Sequence, residues 1–150
     1  MNLSGLAILL LTAQCAAPPS APSEAKALNA IMISLETEGG ISGRGLGSVV
    51  IEGDRVEAGD TRRSCHGSLS VAERDQLGSL FRSSSPQSWL TSYAPKDRPH
   101  GPPDAIRYTL TAGEHFTSWF GEAPSELPQQ VAAIRGALWA IRNRVLHECP

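Results

Sequence analysis

From residue 127 to residue 145 the apolar side chains Leu127, Val131, Ile134, Leu138, Ile141 and Val145 recur at intervals of 4, 3, 4, 3 and 4. That spacing winds one continuous apolar stripe along a long α-helix. A helix with such a stripe needs an apolar surface to lie on, so the rest of the chain must supply one. Ser125 is a candidate cap, and Pro128 is tolerable because it falls in the first turn. Arg135, Arg142 and Arg144 lie off the stripe.

The opposing surface is predicted from strands. In NAIMISLET, residues 29–37, Ile31, Ile33 and Leu35 alternate with Met32, Ser34 and Glu36, the period of a half-buried strand. EGGISGRGLG follows, with five glycines in ten residues, and Gly53-Asp54 then divides SVVIE from RVEAGD, so 46–62 reads as a hairpin. Ile106, Tyr108 and Leu110 alternate with Arg107, Thr109 and Thr111, and Ala112-Gly113-Glu114 turns that strand into HFTSWF. A second helix starts at Ser70, where Ser70-Val71-Ala72-Glu73 forms a capping box, carries Leu77, Leu80 and Phe81 on one face, and stops before Pro86. Residues 94–104 hold four prolines and read as an irregular loop. With no βαβ rhythm, the fold class is α+β: an antiparallel sheet of about four to five strands with two helices packed on one face.

Residues 3–13, LSGLAILLLTA, are uncharged and apolar but too short to span a bilayer, which takes about 20 residues. They have the length of a signal-peptide core. The domain organisation is therefore a signal peptide at 1–15, a Pro/Ala/Ser tether at 16–27 and a single α+β domain at 28–150. Cleavage before Cys15 would leave an N-terminal cysteine for lipid attachment, and this region resembles the lipobox of bacterial lipoproteins. Cleavage after Cys15 would release a soluble chain, and a hydrophobic N-terminus without a sorting role is the third reading. Export to the cell envelope leaves Cys65 and Cys149 as the remaining cysteines, which an oxidising compartment would pair. Two unpaired thiols are the alternative.

The net charge of −2 comes with no Lys/Arg stripe, so nucleic-acid binding has no electrostatic footprint. GRGLG at 43–47 lacks the Lys-Ser/Thr and the following helix of a phosphate loop, and reads as flexible or bulged hairpin glycines. Cys65, His66, His100, His115, His147 and Cys149 show no CxxC, HxH or HExxH spacing, so no metal site is expected. A Cys65 nucleophile would be consumed by a disulfide, and Gly40-Ile41-Ser42-Gly43-Arg44 has Arg where a nucleophile elbow needs glycine. The reading is a non-enzyme without a cofactor, leaving the two loops as candidates for binding a partner.

ISLETEGGISG at 33–43, PPDAIRYTLTAGEHFT at 102–117 and the closing apolar helix resemble, in that order, the emfourin family of proteinaceous protease inhibitors. The resemblance spans about residues 30–146. It implies a domain that binds a thermolysin-like zinc metalloprotease, as emfourin does protealysin, and blocks its cleft. Glu38, Gly39 and Gly40 match the family's turn, and Asp104, Arg107 and Tyr108 its later strand. Glu38, Gly39, Gly40, Asp104 and Arg107 are thus candidate partner contacts, with the glycines and Tyr108 equally readable as fold determinants. The competing reading is an envelope lipoprotein acting as a structural or assembly module with no protease partner.

Overall fold

The computed structural model describes residues 31–41, 43–94, 101–121 and 124–150. Cys15, the segments expected as signal peptide (1–15) and tether (16–27), and most of the proline-dense 94–104 segment lie outside the described residues. Six strands form one antiparallel sheet: β1 (Ile33–Gly39), β2 (Ser48–Glu52), β3 (Arg55–Gly59), β4 (Ser64–Ser68), β5 (Ile106–Ala112) and β6 (His115–Phe120). Their order is β4-β3-β2-β1-β5-β6, so the first four make a meander and the last hairpin adds to the other side of β1. Helix α1 (Val71–Ser84) and a single 3-10 turn (Pro86–Ser88) come between β4 and β5, and α2 (Gln129–Glu148) closes the chain.

The register explains why one face is covered. Cys65, Ala58, Val49, Leu35, Leu110 and Thr117 stand opposite one another in a row across all six strands, every one of them buried. The next row is Gly67, Val56, Ile51, Ile33, Ala112 and His115. The opposite face carries His66, Glu57, Val50, Ser34, Thr111 and Phe116, a mostly polar row whose ends are exposed and whose central Ser34 is buried. Helix α2 lies on the apolar side across β2, β3 and β4, and α1 packs along α2. The predicted stripe is the buried one, since Val131, Ile134, Leu138, Ile141 and Val145 are all enclosed. Full burial of each such aliphatic side chain stabilises the fold by about 1.5–3 kcal/mol.

The structure corrects four expectations. The sheet has six strands rather than four or five, because Ser64–Ser68 pairs with β3 as an edge strand. Its sequence, SCHGS, contains no β-branched residue and no Phe, Tyr or Trp, so pairing and not propensity makes it a strand. Strand β1 begins at Ile33, later than the expected 29–37, and continues to Gly39 along its full pairing with β5. Ser125 does not cap α2; the helix begins after Pro128, whose ring disfavours the helical conformation at Leu127. Arg142, placed off the stripe by its sequence position, is buried.

The capping box at α1 is complete: Glu73 N–H donates to Ser70 Oγ at 3.2 Å, and Ser70 N–H donates to Glu73 Oε2 at 2.8 Å. Glu73 also receives two hydrogen bonds from Arg144 of α2, at 2.8 and 3.0 Å, which join the two helices. The β3–β4 connection is an Asx turn in which Arg62 N–H and Arg63 N–H donate to Asp60 Oδ1 at 2.7 and 3.0 Å. Cys65 and Cys149 form a disulfide that ties the end of α2 to β4, a bond that fits an oxidising compartment outside the cytoplasm. No helix among the described residues is long and apolar enough to cross a membrane.

Reducing the Cys65–Cys149 bridge, which closes a separation of 84 residues, should cost about 4 to 5 kcal/mol by the chain-entropy model. Urea unfolding with and without reductant reads this directly; coincident curves would rule out a stabilising bridge. A second test concerns pH. Burial works to raise the Glu73 pKa, but the Arg144 guanidinium and the Ser70 N–H and hydroxyl outweigh it and hold the carboxyl below its ordinary value of 4.5. A depressed carboxyl stabilises the fold above that value and loses its effect as pH falls through the folded pKa. Glu73→Gln should therefore be less stable than the native chain at pH 7, the gap closing as the pH falls below 4.5 and through the lowered folded pKa.

Candidate functional site

The chain leaves β1 through Gly39 and returns into β2 at Ser48, and the described residues between them, 40–41 and 43–47, belong to a loop held by backbone hydrogen bonds. Gly39, Gly40, Gly43, Gly45 and Gly47 all have positive φ, at 89°, 71°, 69°, 66° and 118°. Three of them are indispensable for a second reason. A side chain on Gly39 would run into the Ala105 carbonyl, one on Gly45 into the Thr37 carbonyl, and one on Gly47 into Gly59 O and the Arg142 guanidinium. Gly43 N–H donates to Gly40 O at 3.0 Å, closing a turn with Ile41 at its tip, and Gly45 N–H donates to Gly39 O at 2.9 Å. These glycines, expected as flexible or bulged hairpin irregularity, are the conformational requirement of one specific loop.

Two side chains clamp its base. Thr37 Oγ1 accepts from Leu46 N–H at 2.7 Å and Gly47 N–H at 2.9 Å, and donates to Gly47 O at 2.7 Å. From below, Arg142 donates through Nη2 to Leu46 O at 2.6 Å and through Nε to Gly59 O at 2.8 Å. Burial pushes the Arg142 guanidinium below its ordinary value, against the opposing charge of Asp60. Its cation lies 4.4 Å over the Trp139 ring, which meets Tyr108 edge-on, and Tyr108 stacks on Trp119 with centroids 5.6 Å apart. Arg135 covers the other side of this cluster, 4.8 Å over the Tyr108 ring. Tyr108 is 1 % exposed, so its part in the fold is core packing beneath the loop.

Beside the loop, Gly40 N–H donates to Ala105 O at 3.3 Å, bringing the 101–105 approach to β5 alongside the Gly-rich turn. Between them lies a shallow cleft of about 380 Å³. Glu38, Gly39 and Gly43 form one side; Pro102, Pro103, Ala105, Arg107 and Phe120 form the other. Glu38 and Arg107 stand opposite each other in the β1–β5 register and pair at 3.2 Å. Both side chains are about half or more exposed, at 65 % and 46 %, so the pair contributes a few tenths of a kcal/mol and stays available to a partner.

Of the candidate partner contacts, the structure gathers Glu38, Gly39 and Arg107 around one cleft, with Gly40 held next to it by its bond to Ala105 O. Asp104 is exposed in the adjoining turn, which Ala105 N–H closes on Pro102 O at 3.0 Å. Sequence reasoning did not single out Thr37, Arg142, Ile41 or Phe120. A signal for Arg142 was present: it lies four residues after Leu138 and three before Val145, on the flank of the apolar stripe. Ile41 carried one too, as an aliphatic residue in a glycine turn.

No group of three or more potential metal ligands gathers among the described residues. A second, apolar pocket of about 240 Å³ opens at the other end of β1, lined by Ile31, Ile33, Phe81, Pro86, Gln87, Ala112 and His115. No protein-family model matches the chain, and neither does any curated protein or any solved structure.

The loop's stiffness is testable apart from any function. Thr37→Val keeps the shape of the side chain and deletes the hydroxyl that three backbone groups use. It should destabilise the protein by about 1–3 kcal/mol. In hydrogen exchange, the amides of Leu46 and Gly47 should lose protection while that of Leu110, in mid-sheet, keeps most of its own.

Proposed function

We propose that this chain is an exported inhibitor of a thermolysin-like metalloprotease, held at the cell envelope by a lipid on Cys15 or released after signal cleavage. It acts by filling the enzyme's cleft with a loop already fixed in its bound shape, and needs no cofactor. The observation that carries this reading is a convergence. Two of the three features through which the sequence resembles emfourin, the segments 33–43 and 102–117, lie side by side as β1 and β5 and meet again where Gly40 N–H reaches Ala105 O.

Stiffness is what this mode of action demands. A loop that must be ordered on binding loses affinity to that ordering, whereas one locked by Thr37, Arg142 and its own turn bonds does not. The disulfide supports the exported setting, because a bond of this kind persists where thiols are not kept reduced.

Mixing the purified full chain with thermolysin and related zinc peptidases, and following cleavage of a short peptide, should show stoichiometric inhibition at sub-micromolar concentrations. Undiminished cleavage by every peptidase at micromolar excess would refute the proposal. Recovery of a stable envelope complex lacking any peptidase would then favour the structural-module reading.

A further inference from the structure

Ile41 is 96 % exposed, the most exposed large apolar side chain among the described residues. A single exposed aliphatic residue is unremarkable on an ordinary surface. Its setting is what calls for an explanation. It occupies the tip of the Gly40–Gly43 turn, a place where Gly, Asn, Asp, Ser or Pro satisfies the backbone better than a β-branched residue. Local conformation therefore does not account for isoleucine there, and neither does packing.

We infer that Ile41 is the anchor of the inhibitory surface, the side chain that enters a deep apolar pocket of the target peptidase, one shaped for a single large aliphatic residue. This rests on the inhibitor reading above. Three features suit the residue to that task. Its backbone is fixed on both sides, by Gly40 N–H on Ala105 O at 3.3 Å and by Gly43 N–H on Gly40 O at 3.0 Å. A β-branched side chain is stiff at χ1, so little rotamer freedom remains to be lost on binding. In the sequence Gly39, Gly40 and Gly43 flank it, and its one neighbour with a side chain, Ser42, is small, so little bulk competes with Ile41 for a narrow pocket. Glu38 and Arg107, at the cleft beside the loop, are left to meet polar groups on the rim of the contact.

The chemistry of the loop also defines how it does not act. Between Gly39 and Gly47 the sequence has no His, Cys, Asp or Glu, so the tip fills space in the enzyme and is not a strong ligand for its metal. The closed turn is also not the extended strand that a peptidase accepts as substrate, so the loop should survive in the complex. A membrane surface is the less favoured target, because one aliphatic side chain buries too little area to hold a domain at a lipid interface.

The test uses the full chain with Ile41→Ala, Ile41→Leu and Ile41→Asp, titrated against the same peptidases. Because the side chain is in solvent, all three should melt with the native chain, which separates a binding effect from a folding one. Ile41→Ala should weaken inhibition about 10- to 100-fold, Ile41→Leu only a few-fold, and Ile41→Asp should abolish it. The peptidase should retain its zinc in the native complex. If Ile41→Ala inhibits as well as the native chain, the anchor assignment is wrong and the inhibitor reading stands. If the native chain inhibits no peptidase, both fall. Binding to phosphatidylcholine or phosphatidylglycerol vesicles that depends on Ile41, without inhibition, would overturn both in favour of a lipid-inserting tip.

Discussion

Arg142 is the one charged side chain among the described residues that the fold takes out of water, and much of the remaining structure is arranged around it. A buried guanidinium is tolerated only if its N–H groups find acceptors. The two backbone carbonyls it uses belong to different segments, Leu46 at the end of the Gly-rich loop and Gly59 at the end of β3. Their placement requires that Gly47 have no side chain, because one would collide with both Gly59 O and Arg142. The third helper is Trp139, whose ring face offers the cation a further favourable contact. One desolvated charge thus couples the seating of α2, the end of the β2–β3 hairpin and the shape of the loop.

Other cross-links reinforce the same seating. Arg63 donates to Leu146 O at 2.8 Å, Arg144 to Ser68 O at 2.9 Å, and the disulfide joins Cys149 to Cys65. All of them act near the C-terminal end of α2 and toward the β3–β4 side of the sheet. Gly67 fits this pattern, since a side chain there would press into Val145. The glycine lets the helix approach β4 closely. With few aromatic residues in the chain, at 5 %, close approach and specific cross-links take over part of what bulky packing does elsewhere.

The parts of the fold that were legible in the sequence are those with a strong local period. Ile33 and Leu35, the alternation from Ile106 to Leu110, the Ser70–Glu73 box and the stripe of α2 each declare their element by spacing alone. Where the structure departs from expectation, tertiary contact overrides local pattern. SCHGS becomes a strand because β3 offers it a ladder, and Arg142 goes inside because two carbonyls await it. The candidate site was legible only as two unrelated loops. Nothing in the spacing of residues 38 and 107 says that they face each other; that follows from β5 pairing with β1, a contact between segments far apart in the chain. Thr37 was invisible for the same reason, since its role is defined by backbone groups nine and ten residues away.

Strand β1 has one more consequence. It is a central strand, paired with β2 from Ile33 to Glu36 and with β5 along its whole length from Ile33 to Gly39. Everything upstream of the domain joins it at one end, and the Gly-rich loop leaves it at the other. Seven residues of strand span about 23 Å, so the loop projects from the end of β1 opposite the one where the chain enters it. Any mechanical load between an upstream attachment and a partner gripping the loop would travel straight along β1. Both neighbouring ladders would then be strained in shear, many hydrogen bonds at once, and not unzipped one by one.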